Sequence, residues 1–179
     1  MALLPAATDL TVKKKLRLAY LVSHPIQYQA PLLRRIAQEQ DIDLTVFFGS
    51  DFSVRGYQDE GFGVDVKWDV PLLEGYKHEF LPKIRDNSTV GFASPLNYGL
   101  LRSLQQGFDA LWVHGYATAN AMHGILAAKA LGIPVLLRAE SWLRDRERGG
   151  LKLAGKHMFF KILKELASGT LPIGTLNAA

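Results

Sequence analysis

Four short segments of this 179-residue chain hold side chains that can bind a ligand or move a proton. They are Ser23-His24-Pro25-Ile26-Gln27-Tyr28, His114-Gly115-Tyr116, Arg138-Ala139-Glu140-Ser141 and Gly174-Thr175. His114 can donate or accept a hydrogen bond near neutral pH, and Gly115 beside it lets a ligand approach the backbone. The plainer reading of His114 is a cap satisfied by a neighbouring carbonyl. His24 opens a His-Pro turn, which can serve only to redirect the chain, and Gln27 and Tyr28 follow it. Glu140 stands between Arg138 and Ser141. A carboxylate there can bind a hydroxyl or act as a general base, or it can pair with Arg138, Arg144 or Arg146.

Each segment follows a short apolar run, and those runs must position it. Leu16–Ser23, Asp43–Phe48, Asp109–His114, Ile133–Arg138 and Thr170–Ile173 read as buried strands. Val64–Val70 and, more weakly, Tyr76–Leu81 alternate like half-exposed strands. Helices are expected after Pro31, over Leu96–Gln106, over Thr118–Leu131 and over Gly150–Ser168. Asp51–Asp65 reads as a long surface loop and Lys83–Ser94 as a second irregular stretch. Strands alternating with amphipathic helices imply right-handed parallel β-α-β units. The expected fold is α/β, a Rossmann-like three-layer domain with a mostly parallel sheet. In such a sheet ligands bind outside the carboxyl ends of the strands, where all four segments would lie.

Composition removes several functions. Hydrophobic residues make up 48% and charged residues 21%, which is globular usage. With no cysteine there is no disulfide, thiol nucleophile, zinc ribbon or iron–sulfur site. No G-x-G-x-x-G follows the first strand, and there is no P-loop, G-x-S-x-G elbow or H-E-x-x-H. The five His are too scattered for a metal site by spacing, and no metal is expected. No apolar run approaches bilayer-spanning length. Lys13–Lys15 before Leu16–Val22 suggests a signal peptide, but Arg17 breaks the run and no cleavage site follows. A cytoplasmic protein is expected, with residues 1–15 as a flexible leader and 16–177 as the domain.

The net charge of +4 is local. Arg138–Glu165 carries eight basic and four acidic residues, which accounts for all of it. That points to a local partner rather than to nucleic acid. On a helical projection of Gly150–Ser168, Leu151, Met158, Phe159, Ile162, Leu163 and Leu166 share a broad apolar face. Phe160 falls among Lys156, Lys161 and Lys164. The reading is either a core helix with a solvated lysine side, or a surface at Lys156, Phe160 and Lys164 for an anionic membrane or partner.

The run D-A-L-W-V-H-G-Y, then A-K-A-L-G-I-P-V-L-L-R-A-E-S, then T-L-P-I-G-T-L-N resembles the amino-terminal half of family-4 glycosyltransferases. The opening L-R-L-A-Y-L-V-S-H-P-I-Q-Y fits the first strand, turn and helix of a subset of them. That family is retaining and has the two-Rossmann GT-B fold. The resemblance spans roughly Leu16 to Asn177.

By this resemblance the chain is the acceptor side of a cleft, and a nucleotide sugar is donor substrate rather than cofactor. His114 is the expected catalytic residue, reaching the donor sugar. His24, Gln27, Tyr28, Tyr116, Arg138, Glu140 and Ser141 are the expected substrate-binding residues. The acceptor is a glycan or a lipid-linked molecule. Basic helices in this domain often attach such enzymes to membranes, which places the protein peripherally at the inner membrane face. The chain holds no E-x7-E pair, so the donor-binding carboxy-terminal domain is expected to be absent and the chain inactive alone. Departing from the family, the first loop carries Pro25 where glycines are common, so it lacks one backbone N–H for phosphate. Two alternatives stand beside this reading: a free-standing sugar- or partner-binding module working with a separately encoded domain, and another Rossmann-like protein.

Overall fold

The computed structural model describes residues 14–55, 57–58, 65–66, 70–86, 89–138 and 150–172. Among the described residues, ten strands and five helices run in the order β1 (Leu16–Val22), α1 (Ala30–Ala37), β2 (Ile42–Phe48), α2 (Phe52–Arg55), β3 (Tyr57–Gln58), β4 (Asp65–Val66), β5 (Lys77–Phe80), β6 (Lys83–Arg85), β7 (Leu96–Asn97), α3 (Leu100–Leu104), β8 (Ala110–His114), α4 (Ala119–Ala130), β9 (Val135–Arg138), α5 (Gly150–Leu166) and β10 (Gly169–Thr170). Six strands form one sheet in the order β10-β9-β8-β1-β2-β5, and every neighbouring pair is parallel. Counted along the chain this is the 3-2-1-4-5-6 order of doubly wound folds, so the order reverses between β1 and β8.

The strands form because their side chains are apolar on both faces. On one face Leu21, Phe47, Leu111, Val113, Val135 and Leu137 pack with Leu100 and Leu104 of α3, Ile125 and Ala128 of α4, and Leu163 of α5. On the other, Tyr20, Val22, Val46 and Phe48 pack with Leu33 of α1. Those are the three layers. Pro31 stands in the first turn of α1, where a missing N–H costs no hydrogen bond. Thr118 caps α4 by accepting from Ala121 N at 3.1 Å. Gly124 lets α4 lie directly on β1, since a Cβ there would overlap Leu21 Cδ2 and come within 3.1 Å of Leu100 Cδ2.

Three sequence expectations are corrected. The stretch 51–65 is not plain loop: Phe52 and Ser53 of α2 are buried, and Tyr57–Gln58 pairs antiparallel with Asp65–Val66. The stretch 83–94 contains β6, which pairs antiparallel with β7. The helix expected from Leu96 begins at Leu100, because Leu96–Asn97 is held in that ribbon and Gly99 turns at φ 85°. Of the expected strand 64–70, only Asp65, Val66 and Val70 lie within the described residues, as do Thr170–Pro172 of the last strand. The leader, up to residue 13, lies outside them.

Candidate functional site

The ends of β1 and β8 meet where the strand order reverses, and both carry a histidine. β1 continues into Ser23 and His24; Ser50 N donates to Ser23 O at 2.8 Å, extending the ladder beyond the strand. Ser23 Oγ lies 2.9 Å from His24 Nδ1. The His24 ring rests on Phe52, with centroids 4.6 Å apart. Ser53 Oγ donates to Pro25 O at 2.7 Å. So α2, which the sequence reads as loop, buttresses the His24-Pro25 turn. Burial, and after it the charge of His114, pushes the His24 pKa down from 6.5 to about 4. At neutral pH His24 is therefore an uncharged hydrogen-bonding group.

His114 is the last residue of β8. Its ring lies 6.3 Å from that of Tyr20 and 6.5 Å from that of Tyr28. Arg138 is its register partner on β9. Gly115 turns the chain away at φ 81° and donates to Arg138 O at 2.7 Å. That conformation is the reason for a glycine here; a Cβ would meet nothing within 4 Å.

The structure thus brings together His24, Tyr28, His114 and Arg138. Gln27 is exposed near this edge. Tyr116 turns to the opposite face and packs on Phe159 and Phe160, with centroids 5.6 and 5.2 Å away. Glu140 and Ser141, like Gly174 and Thr175, lie outside the described residues.

Residues missed in the sequence support the site from below. Gln29 is 2% exposed and accepts from Tyr20 Oη at 3.2 Å. Asn97 Nδ2 donates to the carbonyls of Gly49, Leu81 and Pro82 at 2.8, 3.1 and 3.3 Å. Lys83 bridges Asp51 and Asp86, and Ser50 Oγ donates to Asp86 at 2.6 Å. Burial alone would raise the Asp51 carboxyl; the Lys83 hydrogen bond and the charges of Lys83 and Arg55 overcome this and hold it below its ordinary value. No sequence signal separated Gln29 from Gln27 in Q-Y-Q, because α1 alone decides which faces inward.

On α5 the apolar projection is corrected. Leu163 is buried and Phe159 half-buried, but Met158 is 62% and Ile162 50% exposed. Phe160 is half-buried, with Lys156 Nζ 5.6 Å from its ring centre, and Lys164 is exposed. Among the described residues, no group of three His, Cys, Asp or Glu could hold a metal ion, and no helix is long and apolar enough to cross a membrane.

Solved structures match this fold, MurG among them. MurG from Acinetobacter baumannii superposes with a TM-score of 0.50 at 14% identity, over 91% of this chain and 42% of that one. The likeness shows the fold: a Rossmann-like α/β domain of the GT-B kind. This chain spans less than half the length of MurG. No family model and no curated protein matches the sequence.

Proposed function

We propose that the carboxyl edge of the sheet is the acceptor side of a glycosyl-transfer cleft. The observation that carries this is the meeting of His24 and His114 at the strand-order reversal, the position where doubly wound folds bind ligands. MurG, a glycosyltransferase of GT-B fold, supports the class. In this reading His114 hydrogen-bonds the donor sugar of a nucleotide sugar. His24, neutral at working pH, and Tyr28 orient the acceptor, a glycan or lipid-linked molecule, with Arg138 at its far side. Gln27, Glu140 and Ser141 contribute from the rim. The resemblance to family 4 implies retention. Charge on the departing phosphate needs fixed donors or cations facing it, and these belong to a second domain binding the nucleotide.

The outward side of α5 suits peripheral attachment of a cytoplasmic enzyme. Met158 and Ile162 are exposed there with Lys161 and Glu165 on the same side of the helix, and the apolar pair with Lys161 is the part complementary to anionic lipid.

The test is calorimetric titration of the purified chain with neutral oligosaccharides and with UDP- and GDP-sugars. Weak oligosaccharide binding that His114→Ala and His24→Ala both remove is expected, without turnover. Binding indifferent to both substitutions would overturn the site. Sugar transfer by the chain alone would overturn the need for a second domain.

A further inference from the structure

Ser23 and His24 are neighbours in sequence, and their side chains close on each other, with Ser23 Oγ 2.9 Å from His24 Nδ1. Neither partner is loose. Ser23 prolongs β1, and its carbonyl accepts from Ser50 N at 2.8 Å. The His24 ring lies against Phe52, with centroids 4.6 Å apart and planes 33° apart. The carbonyl of Pro25 accepts from Ser53 Oγ at 2.7 Å. The backbone on both sides of the ring and one of its faces are therefore supported, and such support holds a side chain in one geometry.

A neutral imidazole has one N–H and one bare nitrogen, so the contact has two forms. In the first, the Ser23 hydroxyl donates to Nδ1 and the ring proton sits on Nε2. In the second, Nδ1–H donates to Oγ and Nε2 is bare. Two considerations select the first. Ser23 Oγ makes no other hydrogen bond among the described residues, so the second form leaves a half-buried hydroxyl proton without a protein acceptor. A neutral histidine ring also prefers its proton on Nε2 in water. Burial and the charge of His114 both favour the neutral ring that this choice presumes.

We propose that Ser23 is a positioning residue of the site: its hydroxyl donates to His24 Nδ1, fixes the Nε2–H tautomer, and makes His24 a hydrogen-bond donor that requires an acceptor oxygen from its ligand. No nitrogen of His24 is among the enclosed, unbonded atoms of the described residues, so Nε2 is the polar atom the ring offers. The consequence for a ligand rests on the acceptor-side reading above and narrows it. The sugar oxygen at His24 accepts a hydrogen bond. His24 is not the base that takes the acceptor's proton, because the nitrogen it presents already carries one.

The test records long-range proton–nitrogen correlation spectra of the full chain, labelled with nitrogen-15 at histidine, at mildly alkaline pH where exposed rings are neutral. His24→Phe identifies the His24 signals, and His123, exposed on α4, gives the free-ring average. The parent should show a bare nitrogen at Nδ1 and an N–H at Nε2. Ser23→Thr keeps the hydroxyl and should keep both shifts. Ser23→Val, of the same bulk, and Ser23→Ala should move both towards the His123 values. A proton on Nδ1, parent shifts equal to those of His123, or shifts unchanged in Ser23→Val and Ser23→Ala would each overturn the proposal. A merely structural serine would lower the thermal midpoint in those two variants without moving the nitrogen shifts. In calorimetry with the neutral oligosaccharides titrated above, Ser23→Val and Ser23→Ala should weaken binding about threefold to tenfold, and Ser23→Thr should not. A parent with the Nε2–H form that binds no oligosaccharide removes the acceptor-side reading and keeps the tautomer. Oligosaccharide binding unchanged in Ser23→Val and Ser23→Ala overturns the part Ser23 plays in the site.

Discussion

Asn97 Nδ2 donates to the carbonyl of Gly49 at 2.8 Å, across 48 positions of sequence, and latches the β6–β7 ribbon to the end of β2. The same amide nitrogen reaches the carbonyls of Leu81 and Pro82. Asn97→Ala leaves three carbonyls without this donor and should cost about 2–3 kcal/mol. Asn97→Asp should cost more, because a carboxylate would face carbonyl oxygens. Urea unfolding of the three proteins checks the order Asn, Ala, Asp; an Asp variant as stable as the parent would sink the latch.

Gly124 reverses an ordinary rule. Alanine in place of a mid-helix glycine usually stabilises by about 0.5–1 kcal/mol. Here the added Cβ would overlap Leu21 and crowd Leu100, both buried. Gly124→Ala should therefore destabilise by about 1–3 kcal/mol, read as a lower thermal midpoint. Gly132→Ala, with nothing within 4 Å but φ at 70°, should be mildly destabilising through its backbone alone.

His24 makes stability depend on pH. Its folded pKa of about 4 lies below the ordinary 6.5, first through burial and then through His114. Between those values the unfolded chain binds a proton that the folded chain does not, so stability falls as pH drops from 6.5 to 4 and is fully present above 6.5. The loss is at most on the order of 3 kcal/mol. His24→Phe keeps an aromatic ring against Phe52 and cannot titrate. Denaturation curves at several pH values should show a shallower acid-side fall for the variant; parallel curves would contradict the assignment.

The two aromatic and apolar sets on α5 should separate under mutation. Phe160 packs on Tyr116 and Phe159, so Phe160→Asp should lower stability by about 2–4 kcal/mol. Met158→Asp and Ile162→Asp should leave the fold intact, since both side chains stand largely in solvent. If α5 meets anionic lipid, the latter pair should reduce cosedimentation with phosphatidylglycerol vesicles. A parent protein that fails to sediment with them would remove the membrane surface.

Sequence alone settled the class of fold and put the candidate residues at one edge of the sheet. Buried parallel strands need apolar residues on both faces, so runs such as D-L-T-V-F-F and D-A-L-W-V-H announce themselves, and the residues after them must lie at one edge. The placement of His24, His114 and Arg138 at that edge was legible for that reason. What stayed hidden depended on contacts between distant segments. Phe52 and Ser53 sit in a polar stretch with no periodicity, and only packing on His24-Pro25 makes them structural. Asn97 looked helical because its role is set by carbonyls 15, 16 and 48 positions away. Tyr116 followed His114 in sequence, yet the turn at Gly115 sends it to the other face. On α5 a helical projection could rank faces by hydrophobicity, but which edge is buried was decided by where α4 and the sheet lie, and that left Met158 and Ile162 in solvent. Periodicity is a local property and reports burial of a face. Which neighbour covers that face follows only from the assembled tertiary structure.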